Sequence, residues 1–333
     1  GRGVQDAAFF AQIGARVTVT DLKIAKKLSS SLERLKNLPI KFVLGKHKQK
    51  DILKADLILR NAAVPRNSPF LKLAREHSIP VEMDEALFAQ YAPVKIIGIT
   101  GTRGKSTTAT LIYKILKAAN FPVWLGGNIR GKAALPLLRK INRNDWVVME
   151  LSSWQLQGFQ RAKISPHIGV ITSIYQDHLN RYSSMEEYLE DKKTIFKYQT
   201  KKDFLVLNSD LIAVRKLAEQ AKSKITWFSK KDFPLEWQIK IRGEHNKLNA
   251  AAAIKVGVIL GVDKKIIKKV IGSFIGLSHR LEKIAQINGV EYINDTTSTT
   301  PAAGMAALNS FKEQIILIAG GSNKNLDTSD FTE

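Results

Sequence analysis

Several features that assign proteins to a class are missing from this chain of 333 residues. It contains no cysteine, which excludes disulfide bonds and cysteine-ligated metal centres and favours a cytoplasmic location. No apolar run reaches the roughly 18 residues that a membrane-spanning helix needs. Internal repeats and low-complexity segments are absent from the sequence as well. We therefore expect a cytoplasmic protein of two or three packed domains, without a membrane partner.

Acidic residues are also scarce. The sequence has 30 Asp and Glu against 52 Lys and Arg, a formal net charge of +22. Such a charge can serve a nucleic-acid partner or attract small anionic substrates to a cleft, or it can be spread over solvated faces. The basic residues are scattered among acids, with no long basic block and no ladder of bases and aromatics. This distribution argues against nucleic-acid binding and favours small-molecule substrates.

The two ends of the sequence suggest that it is part of a longer chain. It opens at Gly1 in what we interpret as a glycine turn, without the strand expected before it. It closes at Glu333 shortly after a predicted strand and turn, where an α/β domain would continue. We therefore expect an incomplete first and last domain.

The most informative stretch combines a strand, a glycine turn and a helix. Residues 94–100 form a short apolar run rich in β-branched residues, which predicts a buried strand. Helical spacing of apolar residues resumes over residues 108–119. The intervening TGTRGKST predicts a phosphate-binding loop, although Ile99 stands where the strict pattern has glycine. Backbone N–H groups would hold the phosphates, a lysine would neutralise their charge, and a serine would bind Mg²⁺. The residues in these roles are Gly101, Thr102, Gly104, Lys105, Ser106 and Thr107.

Two further predicted strands end in side chains that suit a metal ion. Residues 145–151 form an apolar run that includes Glu150, and residues 168–174 lead into His178. Ligands gather at the carboxyl ends of parallel strands, and carboxylate oxygen is a preferred ligand of Mg²⁺. A single histidine is more often structural, but its position just past a strand favours a ligand role for His178.

A helix predicted over residues 184–197 carries adjacent lysines. Ser184 and Glu187 have the spacing of a capping box at its start. From the residues alone, Lys192 and Lys193 are interpreted as part of a solvated basic face.

The beginning of the chain resembles half of a dinucleotide-type βαβ unit. A strand predicted at residues 16–20 is closed by Asp21, an acid placed to contact a ribose or uridine. The third glycine of that fingerprint is replaced by Asp6, so a simple helix–strand connection is an equal alternative.

Later segments alternate in the same way. We predict a strand at residues 238–241 and a helix at residues 250–260. Strand 291–294, helix 301–310 and strand 314–319 are interpreted as the opening β-α-β of a Rossmann-like domain.

Taken together, these motifs resemble the Mur ligase family. The matching stretches occur in family order over nearly the whole chain, and they are TGTRGKST, GGNIRG, MELSSWQL, DHLNRY, DKKTIF, GEHNKLNAAAA, LSHRLE, INDTTSTTP and AGGSNK. Within the family they are most similar to the members that add D-glutamate to UDP-N-acetylmuramoyl-L-alanine in peptidoglycan precursor synthesis. The resemblance implies an ATP-dependent, ADP-forming ligase that works through an acyl phosphate, and we expect it to be a monomer.

The resemblance also implies an α/β architecture of three domains. Residues 1–93 would form a Rossmann-like domain for the UDP substrate, and residues 94–278 a central P-loop ATPase domain. Residues 279–333 would begin a truncated Rossmann-like domain for the amino acid.

The same resemblance assigns roles to individual residues. ATP would be held by the phosphate loop, with its adenine and ribose contacted by Asn246, Arg280 and Asp295. Two Mg²⁺ ions would be bound by Ser106, Glu150, His178 and a carbamylated Lys192. Substrate contacts would come from Asp21 on the uridine, Asn128 on the muramoyl group, and Thr299 and Lys324 on the incoming glutamate.

One departure from the family pattern concerns the amino-acid pocket. Thr297 stands where many relatives have lysine in an N-D-S-K motif. The open alternatives are a ligase of this family for another amino acid, a relative of folylpolyglutamate synthase, or a non-catalytic nucleotide- or nucleic-acid-binding module.

Overall fold

A computed structural model describes residues 2–176, 182–298 and 300–321 of the chain. The strands are β1 (Val17–Asp21), β2 (Ile40–Leu44), β3 (Ile58–Leu59), β4 (Val81–Glu82), β5 (Lys95–Thr100), β6 (Val123–Gly127), β7 (Trp146–Glu150), β8 (Ile168–Ile171), β9 (Phe204–Asn208), β10 (Lys224–Phe228), β11 (Glu282–Ile287) and β12 (Val290–Asn294). The helices are α1 (Arg2–Gln12), α2 (Ala25–Glu33), α3 (Gln49–Leu53), α4 (Pro69–Glu76), α5 (Asp84–Tyr91), α6 (Lys105–Ala118), α7 (Ser153–Ala162), α8 (Met185–Lys197), α9 (Ile212–Ala218), α10 (Glu244–Ile259), α11 (Lys264–Ser273) and α12 (Pro301–Leu308). Two short 3₁₀ helices lie at Leu135–Arg139 and Lys230–Asp232.

A six-stranded parallel sheet forms the centre of the molecule, in the order β10-β9-β8-β5-β7-β6. Successive side chains of a strand point to opposite faces, so Val148 joins a core with α6, α10 and α11. Its neighbour Val147 joins a second core with α5, α7 and α8. Helices therefore cover both faces, which explains why the central strands are almost wholly apolar.

The phosphate-loop strand lies in the middle of this sheet, between β7 and β8. Ile99 of β5 is in register with Glu150 of β7, and Thr100 with Ile171 of β8. The carboxyl ends of the three strands therefore meet at one edge.

The first four strands form two separate parallel pairs, β1 with β2 and β3 with β4. Strand β1 lies at the position predicted from the sequence, residues 16–20. The expected single Rossmann-like sheet is not formed among the described residues. A small core made by Ile52, Leu71, Ala74 and Val81 fills the space between α3, α4 and β4.

Two predicted strands are wrong. Residues 238–241 pair with no strand in the described part of the chain, because Ile239 and Ile241 pack against the core beneath α10 and α11. Residues 314–319 are also unpaired, and Ile316 and Ile318 are 92% and 95% exposed. The predicted β-α-β unit is therefore not formed.

An antiparallel hairpin takes its place. Strands β11 and β12 pair through a turn at Asn288 and Gly289, both of which have positive φ angles (50° and 81°). An Asn-Gly turn of this conformation matches the twist of a two-residue hairpin. The pair Asn288-Gly289 was visible in the sequence, and it was the signal that could have predicted the hairpin.

Among the helices that the structure describes, none is long and apolar enough to span a membrane.

Candidate active site

Residues 101–106, called here the phosphate loop, connect β5 to α6 at the carboxyl edge of the central sheet. Gly101 and Gly104 have φ angles of 146° and 83°, which side chains rarely adopt. A Cβ atom at Gly104 would also lie 2.1 Å from Oδ1 of Asn249 in α10. Only glycine therefore fits at position 104.

Helix α6 begins at Lys105, three residues earlier than the predicted start at residue 108. Lys105, Ser106 and Thr107 thus form its first turn, where backbone N–H groups have no partner within the helix. These donors and the positive end of the helix dipole suit an anion. The geometry fits the phosphate groups of a nucleotide.

The end of β8 fixes the backbone of the phosphate loop. Arg103 N donates to Ser173 Oγ at 2.9 Å, and Thr102 N donates to Ser173 O at 2.8 Å. The hydroxyl of Thr172 donates to Arg103 O. Thr172 and Ser173 were not predicted for the site, because the strand was expected to continue to residue 174, whereas β8 ends at Ile171.

Two side chains of the loop lie over its surface. Lys105 Nζ donates to Gly101 O at 2.8 Å and to Thr102 O at 2.9 Å, which places the ammonium above the loop. The hydroxyl of Ser106 accepts a hydrogen bond from Arg280 Nη2 at 3.2 Å. Arg280, a predicted nucleotide contact, is therefore beside the loop.

Glu150 is the last residue of β7 and is only 2% exposed. Its Oε1 accepts from Asn128 Nδ2 at 2.8 Å, and Asn128 N donates to Glu150 O at 2.8 Å. The structure thus brings together a predicted metal ligand and a predicted substrate contact. The other carboxylate oxygen, Oε2, is buried and has no hydrogen-bond partner among the described residues. A buried oxygen in this state fits a hard cation such as Mg²⁺.

Lys192 is buried in α8 and is 1% exposed, so the interpretation of a solvated basic face is wrong for it. Its Nζ lies 4.6 Å from the centre of the Tyr188 ring. The Tyr188 hydroxyl is 3.1 Å from Thr102 Oγ1, which connects this lysine to the phosphate loop through one side chain. Lys193 is partly exposed and pairs with Glu190. The two lysines therefore occupy different environments.

Only half of the predicted capping box is present at the start of α8. Ser184 Oγ accepts from Glu187 N at 3.3 Å. The Glu187 carboxylate binds Ser183 N at 2.9 Å, one residue before the expected partner. This bond lowers the pKa of Glu187.

The residue before Lys192 forms a buried network that the sequence did not predict. Asp191 accepts from Gln157 Nε2 at 2.7 Å and from Tyr182 OH at 2.9 Å, and it pairs with Arg66. Burial, followed by the nearby Asp191 carboxylate, raises the pKa of Tyr182. Residues 66, 157 and 182 are thereby joined at one point of α8.

The residues predicted to contact adenine and ribose lie in α10 and in the part of the chain that follows α11. Helix α10 begins at Glu244, six residues before the predicted start at residue 250, so Asn246 is in its first turn. Asn246 Oδ1 accepts from Asn249 Nδ2 at 3.0 Å, and Asn249 in turn faces Gly104. Asp295 accepts from Leu281 N at 3.0 Å, beside Arg280.

His245 is close to this group and was not predicted. Desolvation lowers its pKa, Asp295 opposes that shift, and Arg103 adds to it. Both Asp295 and Arg103 are therefore near enough to His245 to affect its charge.

Among the described residues, Asp21 is not brought to the site. Asp21 ends β1, where it accepts from Lys23 N at 2.8 Å, and no hydrogen bond or ion pair joins it to the phosphate loop within the described residues. His178, Thr299 and Lys324 lie outside the described residues. No group of three acidic or histidine side chains in the described ranges could by itself hold a metal ion.

Comparison with known proteins identifies a family. Residues 99–238 match the Mur ligase middle domain. The UDP-N-acetylmuramoylalanine--D-glutamate ligase of Roseiflexus sp. (strain RS-1) is 38% identical over 361 aligned residues, covering 99% of this chain and 77% of that protein. The ligase of the same name from Acetivibrio thermocellus is 37% identical, covering 96% of this chain and 72% of its own length.

Solved structures give the same picture for the fold. The UDP-N-acetylmuramate-alanine ligase MurC from Thermotoga maritima superimposes with a TM-score of 0.63. The match covers 92% of this chain and 74% of that one, at 20% sequence identity. A likeness at this identity supports the α/β fold with its central parallel sheet.

Proposed function

The chain belongs to the Mur ligase family, and from this premise we propose that it adds D-glutamate to UDP-N-acetylmuramoyl-L-alanine in an ATP-dependent, ADP-forming reaction of peptidoglycan precursor synthesis. The observation that carries the proposal is the phosphate loop beside the buried Glu150, in a chain that resembles the D-glutamate ligases over nearly its whole length. We further propose that the chain acts as a monomer.

We infer a division into three domains with the boundaries expected from the sequence. Residues 1–93 contain both two-stranded parallel pairs, and residues 94–278 contain the six-stranded sheet. Residues 279–333 contain the β11-β12 hairpin and α12. In this division the three parts hold the UDP substrate, ATP and the amino acid.

The reaction has to convert a poor acyl donor into a reactive one. Transfer of the γ-phosphate to the substrate carboxylate forms an acyl phosphate, the amine of D-glutamate attacks its carbonyl carbon, and inorganic phosphate leaves. Lys105 and the N–H groups at the start of α6 hold the phosphates and stabilise the negative charge that develops on their oxygens. The protein's main task is to position three anionic partners and to screen their repulsion.

Residues at the carboxyl edge of the sheet would hold the metal. We propose Ser106, Glu150, His178 and Lys192 as ligands of two Mg²⁺ ions. When bound, Mg²⁺ supplies positive charge that offsets the charge of the phosphates. The buried oxygen of Glu150 supports this assignment.

Lys192 would serve as a carbamate. A buried ammonium is costly and would repel a metal ion, whereas carbamylation by CO₂ gives an anion with hard oxygen ligands. Its burial against Tyr188 supports a role other than solvation.

The remaining assignments follow the family pattern. We propose Asn246, Arg280 and Asp295 for the adenosine part of ATP, and Asp21 for the uridine. Asn128 would bind the muramoyl group. Thr299 and Lys324 would bind the incoming glutamate.

The direct test is ATP-dependent phosphate release with UDP-N-acetylmuramoyl-L-alanine and a panel of amino acids. We expect release with D-glutamate and background release with the others. Turnover with a different amino acid would reassign the specificity. Nucleotide binding without release under any condition would favour a non-catalytic nucleotide-binding module.

A further inference from the structure

One side chain of the phosphate loop leaves the loop and reaches a distant part of the chain. Arg103 Nη2 donates to Thr300 Oγ1 at 2.8 Å, across 197 residues of sequence. Arg103 stands between Thr102 and Gly104 in the loop, whereas Thr300 stands directly before α12. The contact therefore joins the centre of the phosphate loop to the C-terminal segment, which we define as residues 279–321.

The backbone of Arg103 is held in place by hydrogen bonds of both its N–H and its C=O group. Its N–H donates to Ser173 Oγ at 2.9 Å, and its C=O accepts from the hydroxyls of Thr172 and Ser173. Both main-chain groups are thus held by the end of β8. The guanidinium is the part of this residue that is available for another task.

The acceptor is equally informative. Thr300 is the N-cap residue of α12, and a threonine at this position usually accepts a hydrogen bond from the first turn of its own helix. Thr300 makes no such side-chain bond in this structure. Its hydroxyl accepts from Arg103 instead, so the start of α12 is attached to the loop.

A second contact runs in the opposite direction. Arg280 of the C-terminal segment donates to Ser106 Oγ of the loop at 3.2 Å. Arg103 and Arg280 thus both donate to hydroxyl groups where the loop and the C-terminal segment meet. Two guanidinium groups at one contact repel each other, and a bound polyanion such as a nucleoside triphosphate would offset that repulsion.

We propose that Arg103 is a positioning residue that couples nucleotide binding in the phosphate loop to docking of the C-terminal segment through Thr300. The inference deepens the proposed function and rests on it for the identity of the nucleotide. Bound nucleotide lowers the repulsion between Arg103 and Arg280, and it thereby favours the state in which α12 is attached to the loop. The amino acid is then presented to the acyl phosphate by a segment that is held in place.

The first test is kinetic and uses Arg103→Ala, Arg103→Lys, Thr300→Val and the double variant Arg103→Ala/Thr300→Val. Loss of a charged hydrogen bond predicts about a 10- to 100-fold lower kcat for Arg103→Ala. Because coupling between two binding events is reciprocal, the same variant should also bind nucleotide more weakly. Thr300→Val should lose a similar factor. The double variant should be no worse than Arg103→Ala, because both changes remove one contact. Arg103→Lys keeps a donor and should be intermediate.

The second test measures hydrogen exchange of α12 with and without ADP. In the wild type, ADP should slow exchange over Pro301–Leu308, and in Arg103→Ala and Thr300→Val it should not. Arg143→Ala is the matched control, because it removes an exposed guanidinium from the turn before β7. This control should resemble the wild type in both tests.

Three results would overturn the proposal. They are full activity of Arg103→Ala, additive losses in the double variant, and protection of α12 by ADP that persists without the guanidinium. The exchange test also distinguishes failure of the proposed ligation reaction from failure of the coupling through Arg103. A wild type that binds ADP and protects α12 but releases no phosphate would remove the proposed reaction and leave the coupling intact. Normal ligation by a wild type in which ADP does not change the exchange of α12 would support the proposed reaction and rule out the coupling.

Discussion

The phosphate loop and the C-terminal segment lie against each other but are held in place by different means. The loop follows β5, whose apolar side chains are buried in the central sheet, and its backbone is bonded to Thr172 and Ser173. The segment instead exposes Ile284, Ile287 and Val290 on its hairpin, and side-chain hydrogen bonds of Thr300 and Arg280 join it to the loop. One part is fixed by the core, and the other is attached by a few polar contacts. Changes in the loop should therefore affect chemistry most, and changes in the segment should affect its local stability.

The largest effect is expected from Lys105→Ala. The ammonium lies over the loop carbonyls and not in the core, so the fold should remain intact. Loss of its charge in the transition state should lower the rate by about a hundredfold or more. Phosphate release measures the rate, and circular dichroism checks the fold. Near wild-type turnover would contradict the assignment of Lys105.

The next largest effect is expected at Lys192, which the loop contacts through Tyr188. Lys192→Ala should inactivate the enzyme, and added acetate should partly restore activity by supplying the missing oxygen ligand. Lys193→Ala is the matched control on the same helix. It should have a mild effect, because Lys193 is partly exposed and pairs with Glu190.

Activity assays at increasing acetate concentration measure this rescue. An active Lys192→Ala enzyme, together with an unmodified lysine in the mass spectrum of the wild type, would rule out the carbamate.

A third prediction compares two glycines with similar backbone angles. Gly104 and Gly261 have φ angles of 83° and 73°, so alanine is strained by about 1–2 kcal/mol at both. At Gly104 the new Cβ would also meet Asn249 Oδ1, whereas at Gly261 nothing lies within 4 Å. Gly104→Ala should therefore weaken nucleotide binding at least tenfold, and Gly261→Ala should leave it unchanged. Calorimetric titration with ADP measures the affinity, and equal affinities would contradict the role of the loop geometry.

The smallest effect is expected in the hairpin of the C-terminal segment. Glu291 accepts from Lys283 at 2.6 Å, and this bond, with the charge of Arg242, lowers the pKa of Glu291 from 4.5. Because the folded-state pKa is the lower one, the stabilisation is present above about pH 4.5 and is lost as the pH falls through the lowered value. The pair is exposed, so the loss should be small.

Hydrogen exchange of the hairpin amides between pH 5 and pH 3 measures this effect. Acid should accelerate exchange in the wild type more than in Glu291→Gln, after correction for the intrinsic rate. Glu236→Gln, which changes an exposed acid in a turn before Trp237, is the control. An identical acid response in all three proteins would show that the Lys283–Glu291 pair does not stabilise the hairpin.

The sequence predicted what is determined by neighbouring residues. The strand, glycine turn and lysine around Gly104 predicted the phosphate loop, because a buried strand and a helix N-terminus have local patterns. The apolar pattern of residues 238–241 led to a wrong strand prediction, because such a pattern indicates burial but not pairing with another strand. The burial of Lys192 depends on how α8 packs, and the contact of Arg103 with Thr300 depends on residues 197 positions apart. No local pattern contains either fact.

The network around Asp191 has a mechanical consequence. Asp191 stands one residue before Lys192 in α8. Its carboxylate binds Arg66 from the first part of the chain and Gln157 from α7. Because Asp191 is itself buried, loss of these partners would leave its charge without compensation, which is costly. A movement of the residues around Arg66 would therefore be felt in α8, at the position next to Lys192.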